Sequence, residues 1–115
     1  MKITNALTAA DKPNPHGVSA KPVYDSPHAA AVHITLQPGQ ALKTHVTPVD
    51  VFIYVLEGSG IVQIGEERER VGKDMLIDSP AHIPHGLTND GDEVFRVLVV
   101  KVPRPSSPAR VLQAE

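Results

Sequence analysis

Eleven prolines and eight glycines in 115 residues break this chain at short intervals, and that punctuation limits the fold more than any other feature. Proline has no amide proton to give a helix interior, so the stretches between breaks leave little room for a long helix. What lies between the breaks has strand character. Ala30 to Leu36 alternates, with Val32, Ile34 and Leu36 on one face and His33 and Thr35 on the other. Asp50 to Leu56 is almost continuously apolar, as expected of a strand covered on both faces. Further strands are expected at Ile61 to Ile64, Met75 to Asp78, Ile83 to Leu87 and Val94 to Val102, with turns at Pro38-Gly39, Glu57 to Gly60, Gly65-Glu66 and Asn89 to Asp92. Many short strands joined by frequent turns predict an all-β sandwich or barrel.

Three segments follow from this reading. Residues 1–17 form an irregular arm dense in turn chemistry, residues 18–102 form the barrel, and residues 103–115 form a proline-rich tail outside it. The length allows one domain with one modest core. With aromatics at only 3 %, that core must be built from Val, Ile and Leu.

Composition also excludes several functions. The formal net charge is −2, and Arg68 and Arg70 alternate with Glu67 and Glu69 as a solvated hairpin face. There is neither a basic stripe nor a set of aromatic stacking platforms, so nucleic acid is not an expected partner. Nothing approaches a membrane span or a signal peptide, and a cytoplasmic protein is the expectation. With no cysteine, any metal site must use nitrogen and oxygen ligands. Nucleotide-binding and serine-hydrolase fingerprints are absent.

Two segments carry a more specific signal. Gly39 and His45 are separated by five residues, and Gly58 follows on the far side of the apolar strand. Pro80, His85 and Asn89 form a second spaced set. Together these resemble the two motifs of the cupins, and the resemblance spans roughly Ala30 to Val102. It implies a double-stranded β-helix, a jelly-roll barrel of two antiparallel sheets. The pattern departs from the family at two ligand positions: Thr47 stands where a second histidine is usual, and Val51 where a glutamate is usual. His82 occupies a glycine position, which implies a positive-φ turn that histidine tolerates better than most residues. Gly72 lies two residues too early, so a longer loop or a bulge is expected around Asp78-Ser79.

The resemblance implies a small-molecule site in the barrel, a divalent transition metal (Fe, Mn, Ni, Cu or Zn) and a homodimer with N-terminal strands exchanged. His45 and His85 are the expected metal ligands, with His82 or Asp50 as candidates for a third; Asp50 would need a bulge that slips its strand by one residue. Thr47, Val51, Ile53 and Gln63 are expected to line the pocket around a small polar molecule. If the protein is an enzyme, the resemblance suggests oxygenase, isomerase or decarboxylase chemistry. The alternative is a metal-free, non-catalytic binding or sensing module. His33 reads as a surface or interface histidine, Arg96 and Lys101 read as solvated strand ends, and His16 and His28 carry no signal.

Overall fold

The computed structural model describes residues 1–112, and every regular element in them is a strand. The strands are β1 (Ser19–Asp25), β2 (Ala30–Leu36), β3 (Ala41–Val46), β4 (Asp50–Glu57), β5 (Ser59–Ile64), β6 (Glu67–Gly72), β7 (Leu76–Ser79), β8 (His85–Thr88), β9 (Phe95–Val102) and β10 (Arg110–Val111). They form two antiparallel five-stranded sheets, ordered β1-β2-β9-β4-β7 and β10-β3-β8-β5-β6. The sheets pack face to face, and their inward side chains make the core.

Alternation decides which residues those are. On β4, Val51, Ile53 and Val55 are buried, and across the ladder Val97 and Val99 of β9 join them. Each such side chain contributes about 1.5–3 kcal/mol of apolar burial. Phe95 and Leu36, both fully buried, close one end. There Gly60 presses its backbone on the Phe95 ring, leaving no space for a Cβ.

The turn glycines of the motifs have a plain structural role. Gly39 and Gly58 adopt φ of 87° and 79°, which L side chains rarely do. Asn89 is buried and donates from Nδ2 to the carbonyls of Leu36 (2.9 Å) and Glu93 (2.7 Å), while its Oδ1 accepts from Gly91 N–H. That side chain ties the end of β2 to the β8–β9 turn.

Three features differ from the sequence reading. No bulge interrupts β7, whose register with β4 runs unbroken from Leu76 to Ser79; the turn 73–75 precedes it with Asp74 at φ 71°, at the spacing where the motif glycine would stand, and a loop from Pro80 to Pro84 follows it. That loop is held by His82 N–H on the Thr47 carbonyl and Gly65 N–H on the Pro84 carbonyl. The tail is partly regular, because β10 pairs with β3. His33 is 1 % exposed rather than a surface residue, and its Nε2 lies 2.7 Å from Arg96 Nη1, so Arg96 is not a solvated strand end either. Arg96 also pairs with Glu57 at 2.7 Å.

Candidate functional site

The end of the barrel opposite Phe95 is defined by one row of residues on each sheet. On the first sheet the register aligns Ala30, Lys101, Val51 and Ser79. On the second it aligns Val111, His45, His85 and Ile64. A cavity of about 460 Å3 opens between the sheets there, with the small side chain of Ala30 in its lining. Its walls include Val32, Ile53, Leu87 and Val99, and its polar lining includes His16, His45, His85 and Lys101.

His45 reaches this cavity because of a β-bulge. Leu42 pairs with Leu87 and His45 with His85, so β3 spends three residues where β8 spends two. Without the extra residue, strict alternation would point His45 away from the face that Leu42 occupies. Gly86 sits opposite the bulge, where an added Cβ would lie 3.0 Å from the Leu42 carbonyl oxygen and 3.4 Å from Thr44 Oγ1. Glycine at this position gives the bulge its room.

The bulged Lys43 N–H donates to Nδ1 of His16 at 2.8 Å. A neutral His16 ring therefore carries its proton on Nε2. The opposite tautomer holds for the other two. His45 Nδ1 lies 2.7 Å from the Lys43 carbonyl and His85 Nδ1 lies 3.3 Å from the Ile83 carbonyl. Carbonyls only accept, so both Nδ1 atoms are protonated and both Nε2 atoms present a lone pair. The His45 and His85 ring centroids are 4.1 Å apart, and His16 and His45 are 5.3 Å apart.

Charge around the rings opposes protonation. Burial pushes the His45 imidazole below its usual range, with the Lys43 carbonyl pulling back and Lys101 adding to the fall. His85 is pushed down to about 4 by burial, by its neighbour His45 and by Lys101, against the opposing pull of the Ile83 carbonyl. The Lys101 ammonium is itself pushed below its usual value by burial and by Lys12. Lys101 is thus a wall of the cavity and not the solvated strand end its sequence position suggests.

The remaining expected site residues lie apart from this cluster. Val51 is buried in the core, and Thr47 is 1 % exposed with its hydroxyl unpartnered among the described residues. Asp50 stays in register opposite Val102, exposed, and accepts from Ala81 N–H at 2.9 Å. No bulge brings it inward. His82 is exposed at φ 65° in the loop. Gln63 faces outward, since its neighbour Val62 is buried; it bonds the Gly65 carbonyl and Arg68. Ile53 alone of the expected apolar lining residues forms a cavity wall.

A metal of the His-and-carboxylate kind does not fit this donor set. Two imidazoles offer lone pairs, His16 Nε2 carries a proton, no carboxylate of the described residues joins them, and an ammonium shares their cavity. Among the described residues no group of three or more His, Asp or Glu side chains is disposed to hold a metal ion. No helix is long and apolar enough to cross a membrane.

Two antiparallel sheets with motif glycines at their turns and a mostly aliphatic cavity at one mouth define a double-stranded β-helix protein. The chain belongs to the cupin domain family, whose sequence pattern matches residues 32–101, more than half its length. It is 31 % identical over 67 residues to the tetracenomycin polyketide synthase protein TcmJ of Streptomyces glaucescens, covering 57 % of this chain and 45 % of that protein. The chain thus spans a little under half the length of that curated relative. The crystal structure of TT1209 from Thermus thermophilus superposes with a TM-score of 0.79 at 36 % identity, covering 91 % of this chain and 100 % of that one. The polyketide cyclase RemF from Streptomyces resistomycificus superposes with a TM-score of 0.84 at 21 % identity, covering 100 % of this chain and 87 % of that one, a likeness of fold.

Proposed function

We propose that this cupin binds a small organic molecule in the barrel mouth without a resident metal. One observation carries this reading: the polar lining of the cavity pairs two imidazole lone pairs with an ammonium, and among the described residues no carboxylate joins them. Such a set hydrogen-bonds and orients an organic ligand, whereas a divalent cation would meet repulsion from Lys101 and no anionic ligand. A cavity of about 460 Å3 with mostly aliphatic walls suits a compact apolar body carrying few polar groups. The polyketide-related names of TcmJ and RemF are in keeping with a ligand of that kind.

The same reading includes a homodimer. Met1, Ile3 and Leu7 of the N-terminal arm are 113 %, 83 % and 62 % exposed, apolar side chains left largely uncovered by the described residues. The outer face of the first sheet carries Phe52, Leu98 and Val100, only half-buried.

A fragment screen on chelator-treated protein tests the binding site, read by NMR at the histidine ring protons. Ligands that shift His45 and His85 while leaving His28 unmoved support it. A screen in which no ligand moves these two rings contradicts it.

A further inference from the structure

We infer that the ligand of this cavity is an apolar organic carboxylate whose acid group supplies the missing counter-charge of Lys101. The inference rests on the reading of the cavity as a small-molecule site and names the chemistry of its occupant.

Lys101 lies on the inward face of β9, between Ala30 and Val51 in register, and its side chain is largely withdrawn from water. Its ammonium makes neither a hydrogen bond nor an ion pair with any described residue. A buried cation without a partner is costly, and folds retain such a group where something else completes it. The other charges at the cavity do not complete it. Among the described residues Asp25 is the one carboxylate in the lining, and it is taken by Arg104 at 2.6 Å. Lys12, also in the lining, adds positive charge. The site therefore has an excess of cations around an aliphatic chamber.

A carboxylate answers each feature. One oxygen accepts from the Lys101 ammonium, and the ligand's charge also answers that of Lys12 in the lining. The apolar body then lies against Val32, Ile53 and Val99. A neutral ligand of the same shape would fill the chamber and leave the ammonium uncompensated.

Calorimetric titration of the full chain with 1-naphthoate and with its neutral isostere 1-naphthamide separates these cases. Lys101→Met keeps the length of the side chain and removes its charge, Lys101→Arg keeps the charge, and Lys73→Met in the distant β6–β7 turn controls for net charge. The expected result is that naphthoate binds at least tenfold more tightly than naphthamide. Lys101→Met abolishes that preference, Lys101→Arg retains part of it, and Lys73→Met leaves it unchanged. Equal binding of acid and amide, with both shifting the His45 and His85 ring protons, overturns the inference while sparing the binding site. Failure of both compounds to bind overturns the inference, and unmoved rings across the wider fragment screen remove the site as well. If Lys101→Met loses folded signals, the acid-to-amide ratio of the unaltered protein and of Lys101→Arg decides the matter alone.

Discussion

His45 and His85 face each other as a register pair on β3 and β8, and each anchors its Nδ1 on the backbone carbonyl two residues before it. The pairing brings their ring centroids to 4.1 Å at an interplanar angle of 62°. It depends on the bulge at Lys43-Thr44, because only the extra residue turns His45 inward.

Gly86→Ala tests that dependence. Its Cβ would press on the Leu42 carbonyl at 3.0 Å, so the bulged backbone must move. Chemical denaturation is expected to show a loss of about 1–3 kcal/mol. The His45 ring protons should shift along with it, while those of His28, remote in a surface turn, stay in place.

Protonation of the pair should unfold the protein on the acid side. The folded-state value of His85 is about 4 against an ordinary 6.5, so the unfolded chain takes up the proton first as pH falls. Stability is therefore flat above about pH 7 and declines between about 6.5 and 4, by a total on the order of 3 kcal/mol. Denaturation midpoints measured from pH 8 to pH 4 check this, and His85→Gln should flatten the decline.

Asn89→Ala removes a buried amide that serves three backbone groups. The Leu36 and Glu93 carbonyls lose a donor, and a stability loss of about 2–4 kcal/mol is expected in urea unfolding. Ligand binding at the far end of the barrel should survive in the folded fraction.

Removal of residues 1–10 tests the role of the arm. Sedimentation equilibrium should show a dimer for the full chain and a large shift to monomer for the shortened one, since Met1, Ile3 and Leu7 are then missing from the contact. An unchanged mass would assign the interface elsewhere.

Much of the frame was legible in the sequence, for reasons that are local. Gly39 and Gly58 mark turns, Asn89 falls at its motif spacing, and alternation along 30–36 set the inward face of β2, whereas the nearly continuous apolar run 50–56 hid the alternation that β4 shows. The site was less legible. A one-residue bulge has no composition of its own, and the pairing that exposes it spans Leu42 to Leu87. His16 comes from an arm without periodicity and is set beside His45 by its bond from the Lys43 amide. Lys101 looks solvated from its place near a strand end, and β2 on one side and β4 on the other bring it indoors. Gln63 failed for the opposite reason: its neighbour Val62 took the inward position, leaving the amide outside.

The most direct measurement is the metal content of the protein purified without added metal and then dialysed against Fe, Mn, Ni, Cu and Zn in turn, each followed by elemental analysis. A site of two imidazoles beside Lys101 predicts far less than one ion per chain for every metal, with no difference from the His45→Ala plus His85→Ala double variant. One ion per chain that vanishes in the double variant would contradict the metal-free site and place that ion on the two Nε2 atoms.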